Sequence, residues 1–469
     1  MSCPPRESTK HLRKTVPPLN IFTDPALTSP PPSLSLSSPL PAWCPYCEKV
    51  WLWLEEKRIP FAVRKVTMFC YGEKDAWYKR IVPSGMLPAM ELDGTMVTES
   101  DVILSTLEET FGPLGRSMFD PTVLELRRLE RSLFSAWCRW LCRPARSAAE
   151  EVANREAFCA VAQQVERALA QDETTPFFLG ALGISTADVV FTPYIERMSA
   201  SLFYYKGFTL RDSTVRPRIA QWFDAMEGRI AYRGMLSDFH THCHDLPPQM
   251  GGCFANNSEL QRACAKLVDE GPYLVAASPA AADADAEGEA VLFQEGAGAG
   301  MAGAIATATI ALRGSVPDCG FAMGDAVAVK AMAAGGVSTD PRLEALSRML
   351  KFKDRLFKQM ARSGCGGLGP NCVAVDEAVR CALSHLVGGE LETPPPGTAA
   401  SLRYLRDRIS VPRDMSIWAA RHLRTALEAT AARAPEAAGE KTAGRVPIPS
   451  RHRRDQDPRP FFTVADPEL

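Results

Sequence analysis

The chain lacks an excess of either charge. Its 469 residues include 53 Lys and Arg and 55 Asp and Glu, for a formal net charge of −2. Proteins that mainly bind nucleic acid or an anionic membrane usually carry a basic excess. A long apolar run is also missing, because the uncharged stretch 296–312 is largely Gly, Ala and Thr and falls short of the roughly 20 apolar residues of a membrane span. We therefore expect neither nucleic acid nor membrane as a partner.

A secretory signal is also missing. The first forty residues are rich in Pro and Ser and poor in acids, with no apolar segment of the kind that a signal peptide needs. This composition predicts a disordered leader, with an organelle transit peptide as an alternative. The 14 cysteines are scattered along a long chain, which favours reduced thiols inside the cell. We expect a cytoplasmic protein, or a chloroplast protein if the leader is a transit peptide.

Periodic patterning begins after the leader. An apolar helix face starts at Cys47 and is followed by strand-like residues after Pro60 and by a short helix. The pair Asp93-Gly94 predicts a hairpin turn, and a further helix follows at about 101–110. The order helix, strand, helix, hairpin, helix is the α/β thioredoxin-like plan without a clear first strand. The alternating segment 33–37 is a poor candidate for that strand.

Helical patterning dominates from residue 120 onwards. Ser185 is placed to cap a helix, and Asp188 can return a bond to the backbone, as in a capping box. The aromatic residues Phe134, Trp137 and Trp140 are expected in the interior, although one side could line a substrate pocket. In chain order we predict a leader (1–40), a thioredoxin-like domain (41–115), an all-helical domain (120–246), a helical extension (247–435) with an Ala- and Gly-rich linker (276–336), and a disordered tail (436–469).

The segment Trp43-Cys44-Pro45-Tyr46-Cys47 has the features of a thiol–disulfide site. A helix N-terminus lowers the pKa of a cysteine there because it offers unpaired N–H groups and a positive dipole end. Cys44 is expected at the N-cap, exposed and activated, and Cys47 one turn further in, where it could resolve a mixed disulfide. The alternative is a buried pair or half a zinc site, but no second Cys-x-x-Cys exists to complete one.

Other residues in the same domain have features of ligand-binding groups. Leu87-Pro88 opens a strand, where a cis bond would present backbone groups to an extended peptide, although a trans Pro at a strand edge is the alternative. Glu99 and Ser100 precede a helix whose N–H groups would favour a carboxylate, unless Ser100 merely caps that helix. Lys74 could bind a second carboxylate, although most lysines are simply solvated.

These motifs together resemble one family. Residues 43–47, the segment 84–90 with Leu87-Pro88, and 98–101 closely resemble the N-terminal domain of soluble glutathione transferases. The cysteine-type classes (omega, lambda and dehydroascorbate reductase) match best. The capping segment 183–188 resembles the all-helical C-terminal domain of the same family. The resemblance covers about 42–245, and the long region after Pro247 is similar to an extension in related plant and algal proteins.

The resemblance implies a glutathione-dependent enzyme that is a monomer or a homodimer. Cys44 would form a mixed disulfide with glutathione as co-substrate, and Leu87, beside a cis Pro88, would pair with the cysteinyl backbone. Glu99 and Ser100 would hold the γ-glutamyl end and Lys74 the glycyl carboxylate. The second substrate would be a small oxidised or disulfide compound. Because Cys47 departs from the common pattern, it favours glutaredoxin-like chemistry. Conjugation of glutathione and a non-catalytic redox-sensing role stay open.

The segment His240-Thr241-His242-Cys243-His244-Asp245 is a possible metal cluster. In an extended strand the three imidazoles would share one face and could converge on an ion. The alternative is a polar segment that closes the helical domain. Because no distant partner is evident, the second interpretation is favoured, and no metal is expected.

Overall fold

A computed structural model of the chain describes residues 34–38, 44–66, 68, 74–179, 183–270, 341–362, 370–411, 414–415 and 417–436. The predicted linker at 276–336, most of the leader and nearly all of the predicted tail lie outside these residues.

The first unit is a four-stranded sheet flanked by helices. Its elements are β1 (Leu34–Ser38), α1 (Pro45–Glu56), β2 (Ala62–Lys65), α2 (Ala76–Ile81), β3 (Ala89–Leu92), β4 (Thr95–Thr98) and α3 (Ser100–Phe111). The strand order is β2-β1-β3-β4, with β1 parallel to β2 and antiparallel to β3. Asp93 and Gly94 both have positive φ at the β3–β4 turn, as a two-residue hairpin requires. The thioredoxin-like expectation is confirmed.

Strand β1 corrects the prediction for the leader. The sequence Leu-Ser-Leu-Ser-Ser was a poor strand candidate and fell within the segment 1–40 expected to be disordered. In the structure it is an inner strand, paired on both sides, with Leu34 and Leu36 buried. Pairing with two neighbours outweighs the weak propensity of Ser, because strand preference depends mainly on the surrounding sheet. The domain therefore includes Leu34 and does not start at residue 41.

The second unit is all helical, as expected. It contains α4 (Pro121–Leu141), α5 (Ala148–Leu169), α6 (Thr186–Lys206), α7 (Pro217–Glu227), α8 (Ile230–Arg233), α9 (Phe239–Met250) and α10 (Glu259–Glu270). Helix α6 is buried along its whole length and begins with the predicted capping box of Ser185 and Asp188. Trp137 and Trp140 are buried, as predicted for interior residues.

The helical unit continues past residue 246, where the sequence placed its end. Pro247 and Pro248 lie inside α9 and do not end it. Helix α10 adds Cys264, Leu267 and Val268 to the same hydrophobic core. Helix α10 packs against α6 and extends this core. The sequence did not predict this continuation, because the Pro247-Pro248 pair indicated the end of a helix.

Helix α9 also corrects the extended interpretation of the histidine segment. In a helix, residues four apart share a face and residues two apart do not. His240 and His244 are therefore neighbours, with ring centroids 4.4 Å apart. His242 faces Glu196 of α6 instead, with Nε2 3.3 Å from Oε1. The three imidazoles do not converge as a group.

The extension is a second helical body that packs on α9. Its helices are α11 (Pro341–Arg362), α12 (Pro370–Leu386), α13 (Ala399–Arg408) and α14 (Ile417–Arg433), and they share a separate apolar core. Ser410 donates a hydrogen bond of 2.9 Å to Asp245, and the Val411 N–H donates one of 3.0 Å to Thr241. Arg424 is wholly buried against Asp238. Buried polar contacts therefore fix the extension on the helical unit.

Among the described residues, no helix combines the length and the apolar character that crossing a bilayer requires.

Candidate active site

Cys44 lies at the N-terminus of α1. It is the N-cap residue in an extended conformation, and Pro45 occupies the first turn, where its missing N–H costs nothing. The carbonyl of Cys44 accepts the N–H groups of Cys47 and Glu48, at 3.0 and 2.9 Å. Cys44 therefore lies at the helix start, as the sequence predicted.

Cys44 is less exposed than the sequence suggested. It is 6% exposed and Cys47 is 0% exposed, so both thiols are buried. Met68 and Leu87 pack against the pair and form a small apolar cluster with it. The expectation of an exposed Cys44 fails because residues distant in sequence cover it.

The two thiols have opposite electrostatic settings. A hydrogen bond from the Cys47 thiol lowers the pKa of Cys44, helped by the N–H of Cys47 and the charge of Arg197 and opposed by burial. Burial raises the pKa of Cys47 well above its ordinary value, and a thiolate at Cys44 raises it further. Of the two thiols, Cys44 therefore ionises more readily and Cys47 keeps its proton, a setting that suits thiol–disulfide exchange at Cys44.

The loop before β3 places a cis peptide bond beside the thiols. The bond between Leu87 and Pro88 is cis, as the resemblance implied. The hydroxyl of Tyr78 donates to the Met86 carbonyl at 2.5 Å and anchors the loop to α2. Leu87 packs against the cysteine pair. The loop with the cis bond therefore lies beside the cysteine pair.

Lys74 and the start of α3 complete the predicted set. Lys74 is buried, its charge lowers the pKa of Cys47, and its ammonium lies 5.8 Å from the centre of the Tyr78 ring. Glu99 is the N-cap of α3 and Ser100 its first residue, so Ser100 is not the cap. Glu99 has a φ of 66°, a left-handed conformation that costs free energy for a residue with a side chain.

The start of α3 is joined to α1 by an ion pair. The ammonium of Lys49 lies 2.5 Å from Asp101 Oδ1, and Arg127 of α4 lies 2.9 Å from the other oxygen of the same carboxylate. Lys49 is two residues after Cys47, and Asp101 follows Ser100. The ion pair therefore holds the free N–H groups of α3 close to the helix that carries the thiols.

A buried ionic network lies behind α1, and sequence reasoning missed it. Arg197 Nη1 lies 2.9 Å from Glu48 Oε2 and 2.9 Å from Glu196 Oε1. Tyr232 donates a hydrogen bond of 2.7 Å to Glu196. Burial raises the pKa of Glu48 well above its ordinary value, and the nearby Glu196 adds to the effect. One sequence signal for this network was the pair Glu196-Arg197, which lies in the middle of a mainly apolar helix. Charged residues are rarely buried without partners, so such a pair indicates a buried ionic contact.

An aromatic wall flanks the thiol on the side of the helical unit. The rings of Tyr46 and Tyr194 are 5.9 Å apart, and those of Phe134 and Tyr194 are 5.3 Å apart. The Arg131 guanidinium carbon lies 4.5 Å from the Tyr194 ring centre and 4.6 Å from that of Phe134. Phe134 is half-buried, whereas Trp137 and Trp140 of the same helix are buried. Phe134 is therefore the aromatic residue that α4 contributes to this wall. Arg131 also lines a shallow cavity of about 400 Å³ between α4 and α5.

Comparison with known proteins gives the same two-domain division. Residues 43–110 match the family model "Glutathione S-transferase, N-terminal domain" and residues 147–225 match "Glutathione S-transferase, C-terminal domain". The chain is 28% identical to the chloroplastic glutathione S-transferase DHAR3 of Arabidopsis thaliana, over 36% of this chain and 60% of that protein. It is 27% identical to DHAR2 of the same plant, over 37% of this chain and 76% of that protein.

A solved structure covers the same part of the chain. The dehydroascorbate reductase of Chlamydomonas reinhardtii is 20% identical, with a TM-score of 0.36, over 43% of this chain and 92% of the other. The match to DHAR3 spans 60% of that relative's length, which is less than two thirds. The chain is thus similar to the glutathione S-transferase family over residues 43–110 and 147–225, less than half of its length, and it continues into the helices of the extension.

Proposed function

We propose that the protein is a glutathione-dependent thiol transferase with glutaredoxin-like or dehydroascorbate-reducing activity. The observation that carries the proposal is the setting of Cys44: a helix N-terminus, a lowered pKa, and the cis Leu87–Pro88 loop packed against the thiol. Proteins called dehydroascorbate reductase and DHAR-type glutathione S-transferase are among its relatives. A thiol at this position disfavours conjugation, since a hydroxyl better stabilises bound glutathione thiolate.

The reaction on a glutathione mixed disulfide has two exchanges. The Cys44 thiolate attacks the glutathione sulfur, a new S–S bond forms between them, and the substrate leaves as a thiolate that takes a proton. A second glutathione thiolate then attacks the glutathione sulfur of this intermediate. Oxidised glutathione leaves, and the Cys44 thiolate is restored. With dehydroascorbate, two glutathione molecules supply the two electrons and two protons that convert it to ascorbate.

The neighbouring groups fit a bound glutathione. The Leu87 backbone next to the thiol would pair with the cysteinyl unit in the manner of an added strand. Ser100 and the first N–H groups of α3 would hold the γ-glutamyl carboxylate, helped by the dipole of the helix. Glu99 would bind the amino group of the same unit, and its strained backbone supports a functional role. Lys74 would bind the glycyl carboxylate.

Cys47 allows a second route. Because its sulfur hydrogen-bonds that of Cys44, it could attack the mixed disulfide and release glutathione, leaving a Cys44–Cys47 disulfide. Burial raises the pKa of Cys47, so only a small fraction of it would be in the thiolate form that this attack needs. We therefore propose that Cys44 alone carries the normal catalytic cycle. Cys47 would attack the mixed disulfide only when glutathione is scarce.

The test is a steady-state assay of the full chain with three substrates: hydroxyethyl disulfide, dehydroascorbate and a chlorinated aromatic. We expect turnover with the first two, and its complete loss in Cys44→Ser. Cys159→Ser is the matched control, since Cys159 is half-buried on α5, a helix that carries no proposed site residue, and should keep full activity. Activity of Cys44→Ser equal to that of the unchanged chain would reject the proposal.

The same assay separates the alternatives. Turnover only with the chlorinated aromatic would identify a conjugating transferase. Negligible turnover with all three, together with a Cys44–Cys47 disulfide that changes the binding of a partner protein, would identify a redox sensor. Either result replaces the proposed function.

A further inference from the structure

Helix α9 presents two imidazoles on one face, away from the thiol site. His240 and His244 are four residues apart, and both are buried. Two histidines at this spacing on one helix face form half of a common zinc-binding arrangement. Imidazole nitrogens are common zinc ligands.

Two carboxylates approach these rings from other helices. Asp269 of α10 places Oδ1 2.9 Å from His244 Nε2. Asp407 of α13 places Oδ1 3.5 Å from His240 Nε2 and 4.0 Å from His244 Nε2. One donor atom from each of His240, His244 and Asp269 lies within 4.8 Å of the other two. Nitrogen and oxygen ligands thus meet from three helices.

The spacing suits a tetrahedral ion. Ligands at about 2.0–2.1 Å from zinc lie about 3.3 Å from each other. The measured separations of 2.9, 3.5 and 4.0 Å lie on both sides of this value. Side-chain shifts of under about 1 Å would therefore bring each of these three imidazole–carboxylate pairs to the separation that zinc requires.

Outer contacts orient both carboxylates. Tyr204 donates a hydrogen bond of 2.7 Å to Asp269 Oδ2 and leaves Oδ1 towards His244. Arg406 Nε donates one of 2.7 Å to Asp407 Oδ1, the same oxygen that approaches the imidazoles, and Arg406 is itself paired with Glu428. Such second-layer hydrogen bonds commonly hold the ligands of a metal site in place.

We propose that His240, His244, Asp269 and Asp407 form a structural zinc site that fastens the extension to the helical domain. Two imidazoles with two carboxylates favour zinc over Mg²⁺ or Ca²⁺, which prefer oxygen ligands throughout. Four protein ligands close the coordination sphere, as in a structural site and unlike a catalytic one. Asp407 is the ligand from the extension, so zinc binding and docking of α13 are linked.

The first test is a zinc titration of the full chain, stripped of metal with a chelator, against a coloured competitor. We expect one zinc per chain, with affinity reduced at least about tenfold in His240→Gln and in Asp407→Asn. Asp269→Asn is a second near-isosteric variant in case one of the others fails to fold. His242→Gln is the matched control, since His242 lies on the same helix and is equally buried but is not a proposed ligand.

Cobalt distinguishes this site from the thiols. Co²⁺ bound to two imidazoles and two carboxylates shows no sulfur-to-metal charge-transfer band, whereas Co²⁺ on Cys44 and Cys47 does. Absence of zinc binding at micromolar concentration would overturn the proposal. So would a thiolate band, or an affinity left unchanged by the His240 and Asp407 variants.

Hydrogen exchange tests the fastening role. Zinc should slow the exchange of backbone amides in α13 of the unchanged chain, and Asp407→Asn should lose this protection while keeping its fold by circular dichroism. Zinc that binds at the four residues without slowing exchange in α13 would overturn the link to docking. None of these measurements uses thiol activity, so their outcome is independent of the proposed function.

Discussion

Arg197 and Glu48 join the helical domain to the helix that carries the thiols. Their side chains are 2% and 0% exposed, and Arg197 Nη1 lies 2.9 Å from Glu48 Oε2. Glu48 follows Cys47 directly, and the charge of Arg197 lowers the pKa of Cys44. The interface between the two domains and the reactivity of the thiol therefore depend on the same guanidinium.

Replacing this guanidinium should affect both properties. Removing one partner of a buried ionic group leaves an uncompensated charge, so Arg197→Met should lower the free energy of unfolding by about 3–5 kcal/mol and raise the pKa of Cys44. Urea unfolding and the pH dependence of alkylation measure the two effects. Glu48→Gln, which keeps the shape and one acceptor, should cost less. A change below about 1 kcal/mol in Arg197→Met would contradict the network's role.

The hydrogen bond from Cys47 is the largest cause of the lowered pKa of Cys44. Cys47→Ala removes this donor and should raise the pKa of Cys44, whereas Cys47→Ser supplies a hydroxyl donor and should keep it low. The pH dependence of iodoacetamide alkylation gives both values. Equal values in the two variants would show that the helix start and Arg197 hold the thiolate without Cys47.

The hydroxyl of Tyr194 is buried, and it has no hydrogen-bond partner within the described residues. Burial, with the nearby Tyr46, raises its pKa well above 10, so it remains a donor. We expect Tyr194→Phe to leave stability nearly unchanged and to lower kcat/KM for the oxidised substrate about tenfold, the effect of losing a hydrogen bond of about 1.4 kcal/mol.

Tyr232→Phe is the contrasting variant for Tyr194. Its hydroxyl donates to Glu196, so its removal should cost about 1–3 kcal/mol of stability. Steady-state kinetics and urea unfolding on both variants separate the two roles. Unchanged kinetics in Tyr194→Phe would show that this hydroxyl does not contact the substrate.

Asp188 should give stability a distinct pH dependence. Burial raises the pKa of this carboxyl from 3.8 to about 6, although it accepts bonds from Phe178, Trp222 and Ser185. Because the folded state binds the proton more tightly, the favourable contribution is complete below pH 3.8 and is lost as the pH rises through about 6. Relative to Asp188→Asn, the chain should lose about 1.4 kcal/mol between pH 5 and pH 8. Parallel urea-unfolding profiles would contradict this.

Arg424 should control the docking of the extension. It is wholly buried, pairs with Asp238, and donates to Thr241 at 3.0 Å. Arg424→Met should therefore weaken docking by about 3–5 kcal/mol and speed amide exchange in α13. Arg433→Met on the same helix is the matched control, since Arg433 is exposed and bonds only the Leu391 carbonyl among the contacts described. Equal exchange in the two variants would contradict the role of Arg424.

Much of the fold could be predicted because it depends on local patterns. The helix opening at Cys44, the Asp93-Gly94 hairpin and the capping box at Ser185 each follow from the preferences of a few adjacent residues. Strand β1 could not be recognised in this way, since its stability comes from two neighbours that lie far along the chain. The Pro247-Pro248 pair in α9 led to a wrong prediction of the end of the helical domain. Here too a contact that is distant in sequence, the packing of α9 on α6, outweighs the local signal.

The sequence by itself determined that two thiols lie at one helix start with Cys44 at the N-cap, since this depends only on the adjacent residues Cys44, Pro45 and Cys47. Only the tertiary structure decided how buried that thiol is, because Met68 and Leu87 cover it from other segments. It also decided which charges act on the thiol, since Arg197 reaches Glu48 across 149 positions. Electrostatic and apolar contacts act through space, and their partners are set by the packing of the two domains and not by their order along the chain.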